Sequence, residues 1–344
     1  MDKRYMFFII ILIFACTLSR SQVNALQDNL YYKNIIRLTN AANLLKEKEL
    51  KSSYIVILDS GIEYAYKKQY EGRYIYGTRC VPAWGEYHRN PWTSYEIGIN
   101  HGTQVQFICD EIIKALGVND ENKRSSSQSV MTIQYKISEA DGLSQVERLI
   151  FAINDVIDYY VLEENLNIAA INFSSVITFR KEDEKIPEVK RLKNELEEAI
   201  DRAASYGITF VTAAGNDNSE INNYSAKLDN VIVVGSTDSS NNRALWGAYG
   251  GSGFGEDLDI VAPGDKVLVF SNESNSVVDS GTSYSVPMVS TTIGLMKALD
   301  PTLKPDEIEK ILKSSATDLG RKGKDDYFGN GLLNVEETIE KVIK

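Results

Sequence analysis

The chain has 344 residues, of which 43% are hydrophobic and 25% are charged, so it can form one large globular domain or two small ones. Its formal net charge of −11 argues against nucleic acid as a partner and against attraction to an anionic membrane surface. The composition therefore favours a globular enzyme or binding protein.

The first residues have the features of an export signal. Two basic residues precede an apolar run at 6–18, and residues 23–25 (VNA) form an acceptable cleavage site. The apolar run is too short to span a bilayer comfortably, and no later segment is long enough. We therefore predict a signal peptide at 1–25 and a secreted or extracytoplasmic protein. A retained signal anchor or a lipid at Cys16 is the alternative.

Removal of that segment leaves residues 26–344, in which we find no repeat and no linker-like break. We therefore predict a single domain. Two cysteines remain, Cys80 and Cys109, and the sequence leaves open whether they form a disulfide. Cys109 lies in an apolar helical pattern, which is typical of a small buried core residue. No CxxC pair or His/Cys cluster indicates a zinc site.

Strands and helices are predicted to alternate along this domain. Short, continuous apolar runs are typical of strands buried on both faces of a parallel sheet, and longer amphipathic stretches separate them. Residues 63–100 are predicted to be rich in loops. The class is α/β, with a mainly parallel sheet wrapped by helices. The predicted strands are 54–58, 130–135, 168–173, 208–213, 231–234 and 260–264, and helices begin near 101, 144, 187, 283 and 305 and at the C-terminus.

Four polar side chains stand where predicted strands end or helices begin. Asp59 ends the first buried strand, His101 begins a helix, Asn216 follows a strand, and Ser283 begins the helix that runs to Leu299. Singly, each has an ordinary explanation, such as a turn-forming aspartate or a helix cap. Together they supply a nucleophile at a helix N-terminus, where free backbone N–H groups stabilise an anion, with a base and an acid in the order Asp, His, Ser.

Short motifs around these residues carry a resemblance to a known family. The motifs are VILDSGIE at 56–63, HGTQV at 101–105, AAGN at 213–216 and GTSYSVP at 281–287, with shorter matches at 233–236, 262–264 and 331–335. The chain resembles the subtilases, the subtilisin-like serine endopeptidases of peptidase family S8, over nearly all of residues 30–340. This resemblance implies an α/β, subtilisin-like fold with a mainly parallel central β-sheet flanked by helices on both faces.

The resemblance also implies a catalytic role for each of the four residues. Ser283 is expected to be the nucleophile and His101 its general base. Asp59 is expected to orient the imidazole and stabilise its cation. The Asn216 side chain and the backbone N–H of Ser283 are expected to bind the oxyanion.

Substrate and cofactor expectations follow from the same resemblance. Ser174, Ser175 and Gly215 are expected to line a cleft in which an extended peptide pairs with the adjacent strand. We expect a monomer that acts on a protein or peptide substrate, with no nucleic acid partner. Structural calcium is frequent in the family, but no residue of this sequence is assigned as a metal ligand.

The sequence departs from the family pattern near these motifs. Gln104 stands where a second histidine is usual, and Tyr284 stands where methionine is usual. Phe107 replaces a small glycine, and Met288 replaces a histidine. Residues 175–177 (SVI) replace a glycine-containing run, so we expect branched side chains to narrow or reshape the substrate cleft.

Two functions are consistent with these features. The leading hypothesis is a secreted serine endopeptidase that works through an acyl-enzyme, because all four polar groups are present. The alternative is a non-catalytic, subtilase-like binding protein, favoured by the altered cleft and by the short stretch before Asp59, which leaves no room for the family's usual pro-domain. Such a protein would bind a partner in the groove or on the Tyr/Trp-rich segment 64–92. A lipase or esterase is disfavoured, because there is no GxSxG elbow and the triad order differs.

Overall fold

A computed structural model describes residues 30–80, 101–119, 128–137, 146–179, 181–270 and 277–344. Its main feature is one seven-stranded sheet, accompanied by two short antiparallel hairpins. The sheet contains β1 (Ser53–Asp59), β2 (Ile75–Cys80), β3 (Val130–Lys136), β4 (Ile168–Phe173), β5 (Thr209–Ala213), β6 (Val231–Thr237) and β9 (Ile260–Pro263), and the hairpins pair β7 (Leu245–Trp246) with β8 (Gly250–Gly251) and β10 (Val267–Val269) with β11 (Val277–Asp279).

The seven strands run parallel in the order β2-β3-β1-β4-β5-β6-β9. Every residue of β1 is buried, as its unbroken apolar run predicted. Because the strands run in one direction, their carboxyl ends meet at one edge of the sheet, which we call the carboxyl edge. In α/β folds this edge carries the functional site.

Helices cover both faces of the sheet, which confirms the predicted fold class. One apolar layer packs α1, α2, α4 and α7 to α9 against strands that include β4, β5 and β6, and the opposite layer packs α5 and α6 against β1, β3 and β5. The helices are α1 (Tyr32–Ile35), α2 (Leu38–Leu45), α3 (Tyr64–Tyr70), α4 (His101–Leu116), α5 (Val146–Asp155), α6 (Pro187–Ser205), α7 (Thr282–Leu299), α8 (Pro305–Ser315) and α9 (Val335–Ile343).

Helix α7 lies in the middle of the first layer, and its residues from Thr282 to Ala298 are all buried. It ends at Leu299, just before Asp300, as predicted. Pro287 lies inside the helix, beyond its first turn. A proline at this position has no N–H to donate to the carbonyl four residues earlier, which is that of Ser283. The helix therefore lacks one backbone hydrogen bond near its start.

The segment predicted to be rich in loops contains two regular elements, α3 and β2, so that prediction was wrong for residues 64–80. The apolar pattern of α3 is concealed by its tyrosines, of which Tyr66 is buried against the rings of Tyr70 and Phe270. Strand β2 is an outermost strand of the sheet and pairs only with β3, and Gly77 interrupts its apolar run. Residues 81–100 lie outside the described residues.

Two further sequence predictions concern cysteine and the membrane. Cys109 is buried and free, which confirms the prediction of a core residue, whereas the side chain of Cys80 lies outside the described part of the structure. Among the described residues, no helix combines the length and the apolar character needed to cross a bilayer.

The buried hydroxyls of α7 give a stability prediction. The Ser290 hydroxyl lies 3.0 Å from both Asn172 Oδ1 on β4 and Val286 O within the helix, so Ser290→Ala removes a within-helix contact and also takes a donor away from the buried Asn172 side chain. We expect the free energy of unfolding to fall by about 1–3 kcal/mol. The matched variant Thr292→Val removes only a contact to Met288 O within the helix, and we expect a change below about 1 kcal/mol. Urea unfolding measures both, and equal losses would contradict this account.

Candidate active site

The carboxyl edge brings together residues that are far apart in the sequence. Asp59 is the last residue of β1, Ser174 follows β4 and Asn216 follows β5, and these three strands are neighbours in the sheet. His101 is the first residue of α4, and Ser283 is the second residue of α7. The contacts described below join Asp59 to His101, and join Ser174 and Asn216 to the start of α7.

Asp59 and His101 form a hydrogen-bonded pair. His101 Nδ1 lies 2.9 Å from Asp59 Oδ1 and 3.0 Å from Oδ2, so the carboxylate fixes the proton on Nδ1 and leaves Nε2 as the basic nitrogen. The backbone N–H of Ser60 donates to Asp59 Oδ1 at 2.7 Å. Gly102 permits the close approach of α4 to β1, because a Cβ there would lie 2.2 Å from Gly61 O.

The charges around His101 favour its protonated form. Burial alone lowers the pKa of His101, but the negative charge of Asp59, the hydrogen bond to it and the charge of Asp279 together raise the pKa above its ordinary value. The carboxylates therefore compensate for the loss of water around a ring whose side chain is only 27% exposed. This environment suits a base that must carry a positive charge during part of a reaction.

Asn216 lies beside the start of α7 and contacts it through its amide oxygen. Its Oδ1 accepts from the backbone N–H and from the hydroxyl of Thr282, both at 2.9 Å. A Cβ built at Gly281 would lie 3.1 Å from Ser283 Oγ and 3.6 Å from Asn216 Nδ2, so both atoms border the same small space. The N–H of Gly251 on β8 donates to Asn216 O at 3.0 Å and fixes its backbone.

Ser174 has a structural role that its sequence motif did not predict. Its hydroxyl donates to Ser283 O at 2.9 Å, the carbonyl that Pro287 leaves without a helical donor. Asn172 Nδ2 in turn donates to Ser174 Oγ at 2.9 Å. The Ser174 side chain is therefore used inside the protein, and only its backbone is available for the predicted pairing with a peptide. The signal was present in the sequence as Pro287, whose partner carbonyl needs another donor when it is buried.

The other predicted cleft residues, Ser175 and Gly215, follow the neighbouring strands β4 and β5. Ser175 is partly exposed, and its carbonyl accepts from the Thr212 hydroxyl at 3.0 Å. Gly215 has a φ of +96°, and a Cβ on it would lie 3.7 Å from Val176 Cγ1. Of the two branched residues expected to alter the cleft, Val176 is 36% exposed, whereas Ile177 is 5% exposed and belongs to the core. Val176 is therefore the branched side chain that borders Gly215.

Two departures from the family pattern contact each other beside His101. The Tyr284 hydroxyl lies 2.9 Å from Gln104 Oε1 and 2.7 Å from Asp279 Oδ2. The rings of His101 and Tyr284 have their centroids 6.0 Å apart. Sequence reasoning did not select Asp279, although a buried tyrosine hydroxyl normally has a polar partner.

The described ranges contain no group of three or more His, Cys, Asp or Glu side chains arranged to hold a metal ion. Structural calcium therefore remains an expectation from the family, without assigned ligands, and no part of the site described above depends on it.

A profile of the subtilase family, peptidase S8, matches residues 51–331. The chain belongs to the subtilase family. This match confirms the resemblance inferred from the four motifs, and it covers all seven strands of the central sheet, both of the helices that begin at His101 and Thr282, and every residue named in the site.

Several curated relatives are subtilisins. Subtilisin DY of Bacillus licheniformis is 39% identical over 151 residues, which cover 42% of this chain and 52% of the relative. Subtilisin Savinase of Lederbergia lenta is 37% identical over 141 residues, or 41% of this chain and 49% of the relative. Subtilisin amylosacchariticus of Bacillus subtilis subsp. amylosacchariticus is 27% identical over 291 residues, or 83% and 65%. This subtilase thus spans about half to two thirds of these relatives in the alignments.

The fold has also been observed in a solved structure. The crystal structure of a lanthipeptide protease superposes with a TM-score of 0.69 and 18% identity, and the match covers 92% of this subtilase and 95% of that chain. At this identity the similarity establishes the fold alone.

Proposed function

We propose that this subtilase is a serine endopeptidase, with Asp59, His101 and Ser283 as its catalytic residues. The observation that carries the proposal is the hydrogen bond between His101 Nδ1 and Asp59, which leaves Nε2 as the base. Family membership and the position of Ser283 in the first turn of α7 support it. At that position, unpaired backbone N–H groups and the helix dipole favour a developing negative charge.

The reaction would proceed by acyl transfer. Ser283 Oγ attacks the scissile carbonyl carbon while its proton moves to His101 Nε2, and the resulting imidazolium is stabilised by Asp59. The tetrahedral oxyanion accepts from Asn216 Nδ2 and from the backbone N–H of Ser283. His101 then gives the proton to the leaving amine as the C–N bond breaks, and a water molecule releases the acyl group by the same steps in reverse.

The substrate is a polypeptide held in an extended form. The backbone of Ser174 and Ser175 would supply strand-like pairing, and Gly215 would let the substrate chain approach β5 closely. Val176 narrows this side of the cleft, so we expect small or extended residues to be accepted next to it. Because one protein with a matching solved fold is a lanthipeptide protease, a lanthipeptide precursor belongs in the substrate panel beside unmodified peptides.

The proposed nucleophile is tested by Ser283→Ala. We expect peptide hydrolysis to fall at least about 10⁴-fold, because no other atom takes over the attack. Labelling by a fluorophosphonate probe should be lost with it, while thermal unfolding changes little. Ser205→Ala, on the exposed end of α6, is the control and should keep full activity. Folded wild-type protein that neither hydrolyses peptides nor takes the label would instead indicate a non-catalytic binding protein.

The oxyanion donor is tested by Asn216→Asp, which keeps the oxygen that Thr282 binds but removes the N–H donor. We expect kcat to fall by about 10²–10³-fold, which is the loss established for this donor in a subtilisin. Asn216→Ala should lose activity to a similar extent and also lower the unfolding temperature, because it removes the Thr282 contacts. An active Asn216→Asp variant would exclude this role.

Export and domain extent form part of the same proposal. We propose that residues 1–25 direct the chain out of the cytoplasm and that residues 26–344 form the single peptidase domain. N-terminal sequencing of the protein recovered outside producing cells should begin at residue 26. Recovery in the membrane fraction with residues 1–25 still attached would show a retained anchor and overturn cleavage.

A further inference from the structure

The cluster formed by Gln104, Asp279 and Tyr284 joins three elements of the site. Gln104 lies on α4, one turn after His101; Tyr284 follows Ser283 on α7; and Asp279 ends β11. The Tyr284 side chain is almost fully buried, and its hydroxyl contacts both of the other residues. The contacts of this hydroxyl therefore link the His101 helix to the Ser283 helix.

The protons available in the cluster determine how it is arranged. A tyrosine hydroxyl has one proton, and an ionised carboxylate accepts hydrogen bonds but donates none. The proton of Tyr284 therefore goes to Asp279 Oδ2, at 2.7 Å. Gln104 Oε1, 2.9 Å away, is a second acceptor for the same hydroxyl, and the shorter contact to the charged carboxylate is the stronger of the two. The Tyr284 hydroxyl therefore lies between Asp279 and Gln104, with its proton on the Asp279 side.

Two features keep this arrangement fixed. Burial and the hydrogen bond to Asp279 raise the pKa of Tyr284 well above its ordinary value, so the hydroxyl remains a donor throughout the working pH range. The second carboxylate oxygen, Asp279 Oδ1, accepts from the N–H of Ser280 at 2.8 Å. Asp279 is thus held at both oxygens, although the strand that carries it is exposed.

The groups that face His101 come from several elements. Asp59 on β1 and Asp279 on β11 are the carboxylates whose charges raise the pKa of His101. Tyr284 on α7 supplies the neighbouring ring at 6.0 Å and remains neutral. Lys136 on β3, the register partner of Asp59, packs its aliphatic stem about Gly61. The pair of carboxylates is therefore the source of negative charge that acts on the imidazole.

We propose that Tyr284 and Asp279 are positioning residues, which hold a second negative charge beside His101 and stabilise the imidazolium formed when Ser283 loses its proton. Gln104 completes the arrangement by fixing the Tyr284 hydroxyl. This inference rests on the proposed endopeptidase function, which it deepens. It also explains why Gln104 and Tyr284 depart together from the family pattern, since each is the hydrogen-bond partner of the other.

The experiment compares Asp279→Asn, Tyr284→Phe and Asp279→Glu with wild-type protein. The first removes the charge, the second removes the hydroxyl that orients it, and the third keeps the charge. Asp229→Asn is the matched control, since it also removes one exposed carboxylate. Asp229 lies two residues before β6, at the amino ends of the parallel strands and away from the carboxyl edge. Asp59→Asn is the reference for loss of the first carboxylate.

The expected results follow from the sign of the charge effect. Without the Asp279 charge the pKa of His101 falls, so the acid limb of kcat/KM moves to lower pH in Asp279→Asn, and less so in Tyr284→Phe. On the high-pH plateau, kcat should fall by about threefold or more with little change in KM, because the imidazolium is less stabilised. Asp279→Glu should restore most of the profile, and Asp229→Asn should match wild type.

A second measurement separates this inference from the proposed function. The chain has only two histidines, so a His88→Gln background leaves His101 as the single imidazole for an NMR titration. Its titration midpoint should fall in Asp279→Asn, by less than in Asp59→Asn, whether or not the protein hydrolyses peptides. An unchanged midpoint and acid limb, or a change in KM or thermal stability alone, would overturn the inference.

Discussion

The burial of helix α7 is the constraint on which the rest of the structure depends. This helix fills the centre of one layer of the core, and the same helix carries Ser283 in its first turn, at the carboxyl edge of the sheet. Pro287 removes one backbone donor close to that end, so a buried carbonyl at Ser283 needs a partner from elsewhere. Ser174 supplies it from β4, and the first turn of α7 is thereby tied to the sheet.

That tie belongs to a longer series of buried polar contacts. Ser290 donates to Asn172, Asn172 donates to Ser174, and Ser174 donates to the Ser283 carbonyl. Each side chain in this series donates a hydrogen bond to the next group, so the buried polar atoms have partners. Buried polar groups strengthen a core under this condition and weaken it otherwise. The position of the proposed nucleophile is thus set by the same hydrogen bonds that attach α7 to β4. A substitution that disturbs these bonds would affect both the stability of the core and the position of Ser283.

The fold class, and the places of the four polar side chains at strand ends and helix starts, could be predicted from the sequence, because strands buried on both faces leave long apolar runs and the motifs lie at their ends. Edge strand β2 could not, because it pairs on one side and contains Gly77. The roles of Ser174 and Asp279 were also missed. Both act through contacts between distant elements, Ser174 with α7 and Asp279 with the Tyr284 hydroxyl, and no local pattern of residues encodes such contacts.

The separation of the site residues along the chain has a consequence for biosynthesis. Asp59 and His101 leave the ribosome early, whereas Ser283 and the helix that must occupy the core come from the last part of the sequence. An unfinished chain therefore contains the proposed base without the proposed nucleophile, and one of the layers that cover the sheet lacks its central helix. On the proposed function, cleavage activity arises only when folding closes around α7, so an incomplete copy cannot digest itself or its neighbours during translation.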